Sequence, residues 1–273
     1  MAIITIARAL GSLGEEVAQE LGRLTGYPIL DKQFIEDRLE AFGFAPGQQE
    51  KLDERRPGFW ATLSEKRSDY LHYLRTVLYD EAQAGGRIVM GRGGSAIFRT
   101  VPSHLAVRIT APLEFRMEKA VDLCACDERH AKPVVEQSDH ERSGFNKLYF
   151  GLDWNDPCAF DITLNTSRMS AAQAAEIIDT HRKLVIDAGR EEAGKRKLAD
   201  LVLAQRVLTV IVYEKKIHVQ GISATAEGGR VELFGISNTQ HAIDRALEAA
   251  ASLPSVTEVV NSMQLAQELQ LLP

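Results

Sequence analysis

The stretch "ARALGSLGEEVAQEL", residues 7–21, decides how this chain is read. It follows the apolar run Ile3-Ile4-Thr5-Ile6 and leads into Val17, Ala18, Leu21 and Leu24 at helical spacing, which predicts strand, glycine turn and helix in succession. A phosphate-binding loop belongs at such a junction. The lysine that phosphate loops place just before the helix is absent, however, and Glu15 and Glu16 stand in the first helical turn. Two readings of Gly11-Ser12-Leu13-Gly14-Glu15-Glu16 compete. In the first, Ser12 caps the helix, Glu15 reaches back to the Ser12 amide, and the helix dipole favours both acidic residues. In the second, Gly11 and Gly14 let backbone amides turn towards an anion at the same helix start. The two are linked, because a carboxylate seated on those amides occupies the place of a phosphate. A ligand must displace it or share a cation with it.

Outward from this unit the strand-helix alternation continues. "YPILDKQFIEDRLEAFG" is a short apolar strand ending at Asp31 and running into an amphipathic helix. "DERRPGFW" breaks the pattern, and a long helix follows with Leu63, Leu71, Leu74 and Leu78 along one side, ended by Gly85-Gly86. "RIVMGRG", "LAVRITAP" and "FDITLNT" read as buried strands, and a helix through Ala174, Ile178 and Val185 follows the last of them. This order predicts an α/β fold, a parallel sheet with helices on both faces, with any ligand outside the carboxyl ends of the strands. Arg8 to Gly14, Asp31, Gly91-Arg92-Gly93 and Ala111-Pro112 stand at those ends.

The pattern changes at "AGREEAGKRK", residues 188–197, a charged stretch that reads as a solvated helix end or a linker. Beyond it "LADLVLAQRVLTVIVY" starts as helix, and "KIHVQGISATAEGGRVELFGIS" alternates like a hairpin around Gly228-Gly229. "TQHAIDRALEAAASL" is an amphipathic helix and "VTEVVNSMQL" a closing strand. The expected organisation is therefore a domain over 1–187 and a small α+β domain over 200–270.

A formal net charge of −6 argues against a general polyanion binder, so no nucleic-acid partner is expected. Cys124, Cys126 and Cys158 give neither an even disulfide framework nor paired CxxC knuckles. No run approaches the about eighteen apolar residues of a membrane span. A reduced, cytoplasmic protein is expected. Arg8, Arg92, Arg116, Arg142 and Lys147 supply cations where a phosphorylated ligand would lie, and Arg92 follows a buried strand between glycines that permit close approach. Each also has an ordinary role as a surface or ion-pair residue. Asp31 is equally a helix N-cap, and Asp139 and Arg142, one helical turn apart, can pair on a solvated face.

The succession "ITIARALGSLGEEVAQELGRLTGYPILDKQFIED", "IVMGRGGSAIF", "VRITAPLEFRME" and "SDHERSGFNKLYFGLDWNDPCAFDITLNTSRMS" resembles the cytidylate kinase-like family of P-loop proteins over roughly residues 1–185. The resemblance implies a P-loop kinase fold, ATP as donor, Mg²⁺ bridging the donor oxygens and a nucleoside monophosphate as acceptor. By position, Gly11, Ser12, Leu13, Gly14, Glu15 and Glu16 would form the phosphate loop, and Asp31 and Arg92 would face the acceptor. Ser138 to Lys147 would be the lid, with Arg142 and Lys147 on the transferred group. The departures are specific. Gly14 stands where cytidylate kinases carry the loop lysine and Glu16 lies near the hydroxyl position. Relatives that read GSGGRE have glycine and arginine where this chain has Leu13 and Glu15. Arg8, from the other side of the loop, is the candidate replacement cation, and Glu16 the candidate Mg²⁺ ligand. Residues from about 200 to 268 resemble a BON domain, which implies a lipid or protein partner. The reading of the whole is a nucleotide kinase acting on nucleotide small molecules. The alternatives are a nucleotide sensor without turnover, reporting through the BON-like module, or a scaffold for interactions.

Overall fold

The computed structural model describes residues 2–42, 64–125 and 127–266. "DERRPGFW", Leu63 and Cys126 lie outside the described residues. The chain divides into two compact units, one through Gly194 and one from Lys195.

The first unit is built on five parallel strands: β1 (Ile3–Arg8), β2 (Ile29–Leu30), β3 (Arg87–Met90), β4 (His104–Thr110) and β5 (Ile162–Asn165), in spatial order β2-β3-β1-β4-β5. The central strand β1 pairs with β3 from Ile3↔Arg87 to Ile6↔Met90 and with β4 from Ile3↔His104 to Arg8↔Ile109. Its alternating side chains face two layers. Ile4 and Ile6 enter a core with Val17, Leu21, Val107 and Ile178, while Thr5 and Ala7 face the opposite side. Helix α1 (Gly14–Thr25) contributes Val17, Ala18 and Leu21 to that core, as their spacing predicts, and ends where Gly26 adopts φ 71°. Helix α2 (Lys32–Glu40) starts at Asp31, whose carboxylate accepts from the Phe34 amide at 2.9 Å, and α3 (Ser64–Gln83) buries Leu74 and Leu78. A single turn of helix, α4 (Gly94–Ile97), follows β3, and α5 (Leu113–Cys124) follows β4. The long α6 (Glu128–Phe150) and α7 (Ala171–Val185) complete the layers.

The 188–197 stretch is helical, opening the 21-residue α8 (Ala188–Leu208), which passes into a π-helical segment at Thr209–Glu214. The second unit carries the order expected of it: β6 (Gln220–Glu227), β7 (Arg230–Ser237), α9 (Gln240–Ala251) and β8 (Glu258–Leu265). β6 and β7 form an antiparallel hairpin around Gly228-Gly229, both at positive φ, and β7 pairs parallel with β8. Val231, Leu233, Ile243, Ala246 and Ala250 close its core. Among the described residues no helix is long and apolar enough to cross a membrane.

Candidate functional site

The carboxyl ends of β1 and β3 carry the two glycine turns. The first is wound tightly: Gly11 has φ 76°, and Leu13, the residue before α1, has φ 59°, a left-handed conformation that costs a leucine energy. Ser12 is fully buried and does not cap α1. Its hydroxyl donates to the Ala9 carbonyl at 2.7 Å and to the Ile109 carbonyl at 3.2 Å, tying the loop to the end of β4. The Thr166 hydroxyl donates to the Ser12 carbonyl at 2.8 Å and holds the other side. The capping-box reading is thus overturned. The hydroxyl is spent inward as a loop anchor, and Glu15 turns towards Arg8, whose Nε donates to Oε1 at 2.9 Å.

Gly14 shows why the helix carries no lysine here. A Cβ placed on it would stand 2.4 Å from the Arg8 Cβ and 2.6 Å from Cγ. The stem of Arg8 therefore runs over Gly14, and any side chain at position 14 would collide with it. The loop has a cation, and it arrives from β1. Arg8 keeps 13% of its side-chain surface exposed and Glu15 keeps 56%. Burial alone would raise the Glu15 carboxyl, but the Arg8 charge and hydrogen bond, the Glu15 amide and the more distant Arg142 bring it below its ordinary value of 4.5. The Glu16 side chain, in the same turn, makes no hydrogen bond or ion pair among the described residues.

In the second turn Gly91, Arg92 and Gly93 have φ 67°, 53° and 69°. Arg92 is buried. Nη1 donates to the Tyr70 hydroxyl at 3.0 Å and Nη2 to Glu36 Oε1 at 2.7 Å, so this arginine is held by α2 and α3. Gly93 is needed for packing as well as for its φ, because a Cβ there would fall inside the Phe150 ring. Between the turns lies a cleft of only about 10 Å³, lined by Arg8, Gly91, Ser95, Arg142, Asn146 and Trp154. That is room for about one water. Arg142, on α6, is buried and donates to the Ser138 hydroxyl at 2.5 Å. Lys147 is exposed on the last turn of α6. The Asp139–Arg142 pair that the spacing allows does not form: Asp139 accepts from Arg116 Nη1 with both oxygens, at 2.9 and 2.8 Å. Helix-surface spacing is outcompeted by the facing helix α5.

The structure thus brings Arg8 and Arg142 to one cleft, sets Glu15 on Arg8, holds Arg92 on Glu36 and Tyr70, uses Asp31 as a cap, and leaves Lys147 in solvent. Arg116, one of the cations the sequence offers to a phosphorylated ligand, is buried and spent on Asp139, and a second buried arginine, Arg108, carries no assigned role in the sequence reading. The only available signal for Arg108 was a charge inside the apolar strand "LAVRITAP". A polar cavity of about 380 Å³ shares Ser95 with the cleft and is lined by Arg99, His104, Asp153, Asp156 and Asp161. Its aspartates are structural acceptors, taking the amides of Asn155, Cys158 and Ala106 respectively. His104 in its wall is pushed down to about 4 by burial. Among the described residues no group of three or more His, Cys, Asp or Glu side chains could hold a metal ion.

Residues 3–168 match the model of the cytidylate kinase-like family, and residues 199–267 match that of the BON domain. A cytidylate kinase from Methanocella arvoryzae is 24% identical over 190 residues, which cover 64% of this chain and 94% of that protein. An uncharacterized protein from Eubacterium ventriosum superposes with a TM-score of 0.53 at 17% identity, covering 67% of this chain and 99% of its own. For a shikimate kinase from Acinetobacter baumannii, in complex with shikimate, the TM-score is 0.40 at 15% identity, over 68% of this chain and 96% of that one.

Proposed function

Because the chain belongs to the cytidylate kinase-like family, we propose that its first unit, taken as residues 1–187, transfers the γ-phosphoryl group of ATP to a nucleoside monophosphate. The relative named cytidylate kinase supports CMP as the acceptor. The observation that carries the reading is the stem of Arg8 lying over Gly14, which supplies from β1 the cation that the helix lacks. Phosphoryl transfer depends on positioning and charge neutralisation rather than on covalent chemistry by the protein, so the origin of the cation matters less than its place.

In this reading the amides of Gly11 to Glu16 hold the donor phosphates, and Glu15 gives up Arg8 to them. Arg92 takes the acceptor phosphate in exchange for Glu36, with Asp31 at the edge of the acceptor site. Arg142 closes over the transferred group, and Lys147 joins it by turning in from solvent. Glu16, whose side chain has no partner among the described residues, suits a Mg²⁺ ion, which takes one or two carboxylates together with substrate phosphates. Such an ion supplies charge neutralisation at the donor oxygens. A cleft of about 10 Å³ admits no nucleotide, so the space between the two turns must open before binding. The second unit, taken as residues 200–270, is the place for a lipid or protein partner, and the cytoplasm is the compartment this chemistry suits. No observation favours the sensor without turnover over transfer.

The test is product formation from labelled ATP with each nucleoside monophosphate. Arg8→Ala should lower kcat/KM by about 10² to 10³, the loss typical of one transition-state charge partner. Transfer unaffected by both Arg8→Ala and Glu16→Gln removes the roles given to those residues. Absence of saturable magnesium-nucleotide binding to the wild-type chain removes the reading altogether.

A further inference from the structure

Helix α7 is apolar on two sides. Ala174, Ala175 and Ile178 face inward and join the core of the first unit. On the outer side Ile177 and Leu184 stand 41% and 78% exposed, and with Gln173 and Thr180 they repeat at intervals of four, three and four residues. These four positions form one stripe along the helix, the a and d positions of a heptad. The stripe borders an open groove of about 620 Å³, which Met169 and Ile162, the latter on the edge strand β5, also line. A helix that buries one face in a core ordinarily gives its other face to polar and charged residues. Single exposed apolar side chains are commonplace, but two of them one heptad apart beside a groove mark a contact surface.

The charges along the stripe match a second copy of it. Glu176 and Lys183 stand one residue before Ile177 and Leu184, in two successive g positions. The Glu176 side chain has no hydrogen bond or ion pair among the described residues. Lys183 Nζ lies 2.6 Å from Asp179 Oδ2, but Asp179 also accepts from Arg182 Nε and Nη2 at 2.8 and 2.7 Å, so the lysine can turn away without stranding the buried carboxylate. When two such helices lie antiparallel, g faces g, and Glu176 of each copy meets Lys183 of the other about a two-fold axis. In the same register Ile177 packs on Thr180 of the other copy, and Leu184 on Gln173 and Met169. A parallel pair would set Glu176 against His181 and Lys183 against Ala188, leaving the lysine without a carboxylate across the contact. Acidic and basic groups alternating on one rim do not suit a surface of a single charge sign, such as an anionic membrane.

We propose that the outer face of α7 is the contact surface for a second copy of this chain, joined antiparallel about a two-fold axis, with Leu184 of each copy seated in the groove of the other beside Met169 and Gln173. One helix pair falls below the standard interface of about 1,600 Å², so the dimer is a weak, micromolar one that assembles with concentration. None of the residues given a part in phosphoryl transfer lies on this surface, so it stands whether or not the nucleotide reading holds.

The experiment is sedimentation velocity of the full chain from about 1 to 500 μM, the span over which a micromolar dimer assembles, for wild type, Leu184→Glu, Glu176→Lys, Lys183→Glu and the double exchange of Glu176→Lys with Lys183→Glu. The expected result is a wild-type shift from monomer to dimer with rising concentration and a monomer throughout for Leu184→Glu. Each single charge exchange should weaken association about tenfold, and the double exchange should return it towards wild type. Leu184 is largely in water, so Leu184→Glu should melt close to wild type. If it does not fold, the exchanges at the exposed Glu176 and Lys183 carry the test. A wild type that stays monomeric over the whole span overturns the proposal. So does a dimer that Leu184→Glu leaves intact, which forms through another surface, and so does a double exchange that associates no more tightly than either single one.

Discussion

The turn after β1 and the turn after β3 each hold a non-glycine residue in the left-handed region, Leu13 at φ 59° and Arg92 at φ 53°, and each sets an arginine against a glutamate. They differ in depth. In the first pair Arg8 and Glu15 keep 13% and 56% of their side-chain surface exposed; in the second, Arg92 and Glu36 keep 3% and 16%. A carboxylate more than half in water can trade its arginine for a phosphate at little cost, because water solvates it when it leaves. A carboxylate that neutralises a buried guanidinium cannot leave unless another anion takes its place. The turn after β1 is thus built for exchange. The turn after β3 is built as part of the scaffold, and its arginine can be released only to another anion.

The largest effect that can break this contrast is at Glu36. Glu36→Ala removes the 2.7 Å partner of Arg92 while the Tyr70 hydroxyl remains, and should cost about 3 kcal/mol in urea-unfolding experiments. A cost no greater than that of an exposed pair would show that Arg92 finds other compensation and that both turns exchange freely. A smaller effect is expected at Gly14. Gly14→Ala sets a Cβ against the stem of Arg8 and should cost about 2 kcal/mol. Arg8→Ala in the same chain keeps the colliding Cβ and relieves little, whereas Arg8→Gly removes it. The double-mutant cycle should therefore show coupling with Arg8→Gly and almost none with Arg8→Ala. Arg8→Gly combined with Gly14→Lys then returns a cation from the helix side, and recovery of nucleotide affinity over Arg8→Gly alone would sharpen the contrast further.

Much of this architecture is legible in the sequence because local patterns decide it. The alternation of short apolar strands with amphipathic helices dictates a parallel sheet, and the residues after β1 and β3 fall at its ligand edge by topology. Asp31 could be read as a cap, and it is one. What could not be read is side-chain direction set by distant residues. "SLGE" spells a capping box, but the Ser12 hydroxyl turns inward to the carbonyls of Ala9 and, 97 residues on, Ile109, and Glu15 is claimed by Arg8. Asp139 and Arg142 share a helix face, but Arg116 on another helix reaches the aspartate first. Arg108 in "LAVRITAP" looks like an interruption of a strand until Trp154 and Asn155 fold over it. Tertiary contacts that outcompete local ones leave no mark in residue spacing.

The smallest expected effect lies at Glu15, and its pH dependence is what separates the two turns. The native carboxyl titrates below its ordinary 4.5, so the Arg8–Glu15 pair contributes stability above that value and loses it as the pH falls through the native pKa. Because the carboxylate is largely exposed, the contribution stays under about 1 kcal/mol. Glu15→Gln should therefore unfold slightly earlier than wild type near pH 7, and the two stability curves should converge as the solution is acidified below about pH 4.5. The same substitution removes the internal competitor for Arg8. Near neutral pH it should raise the affinity for tripolyphosphate even as it lowers stability, a trade of opposite sign that a purely structural ion pair would not give. Equal or weaker tripolyphosphate binding by Glu15→Gln would mean that Glu15 does not stand in the phosphate's place, and the exposed pair would then belong, like the buried one, to the scaffold.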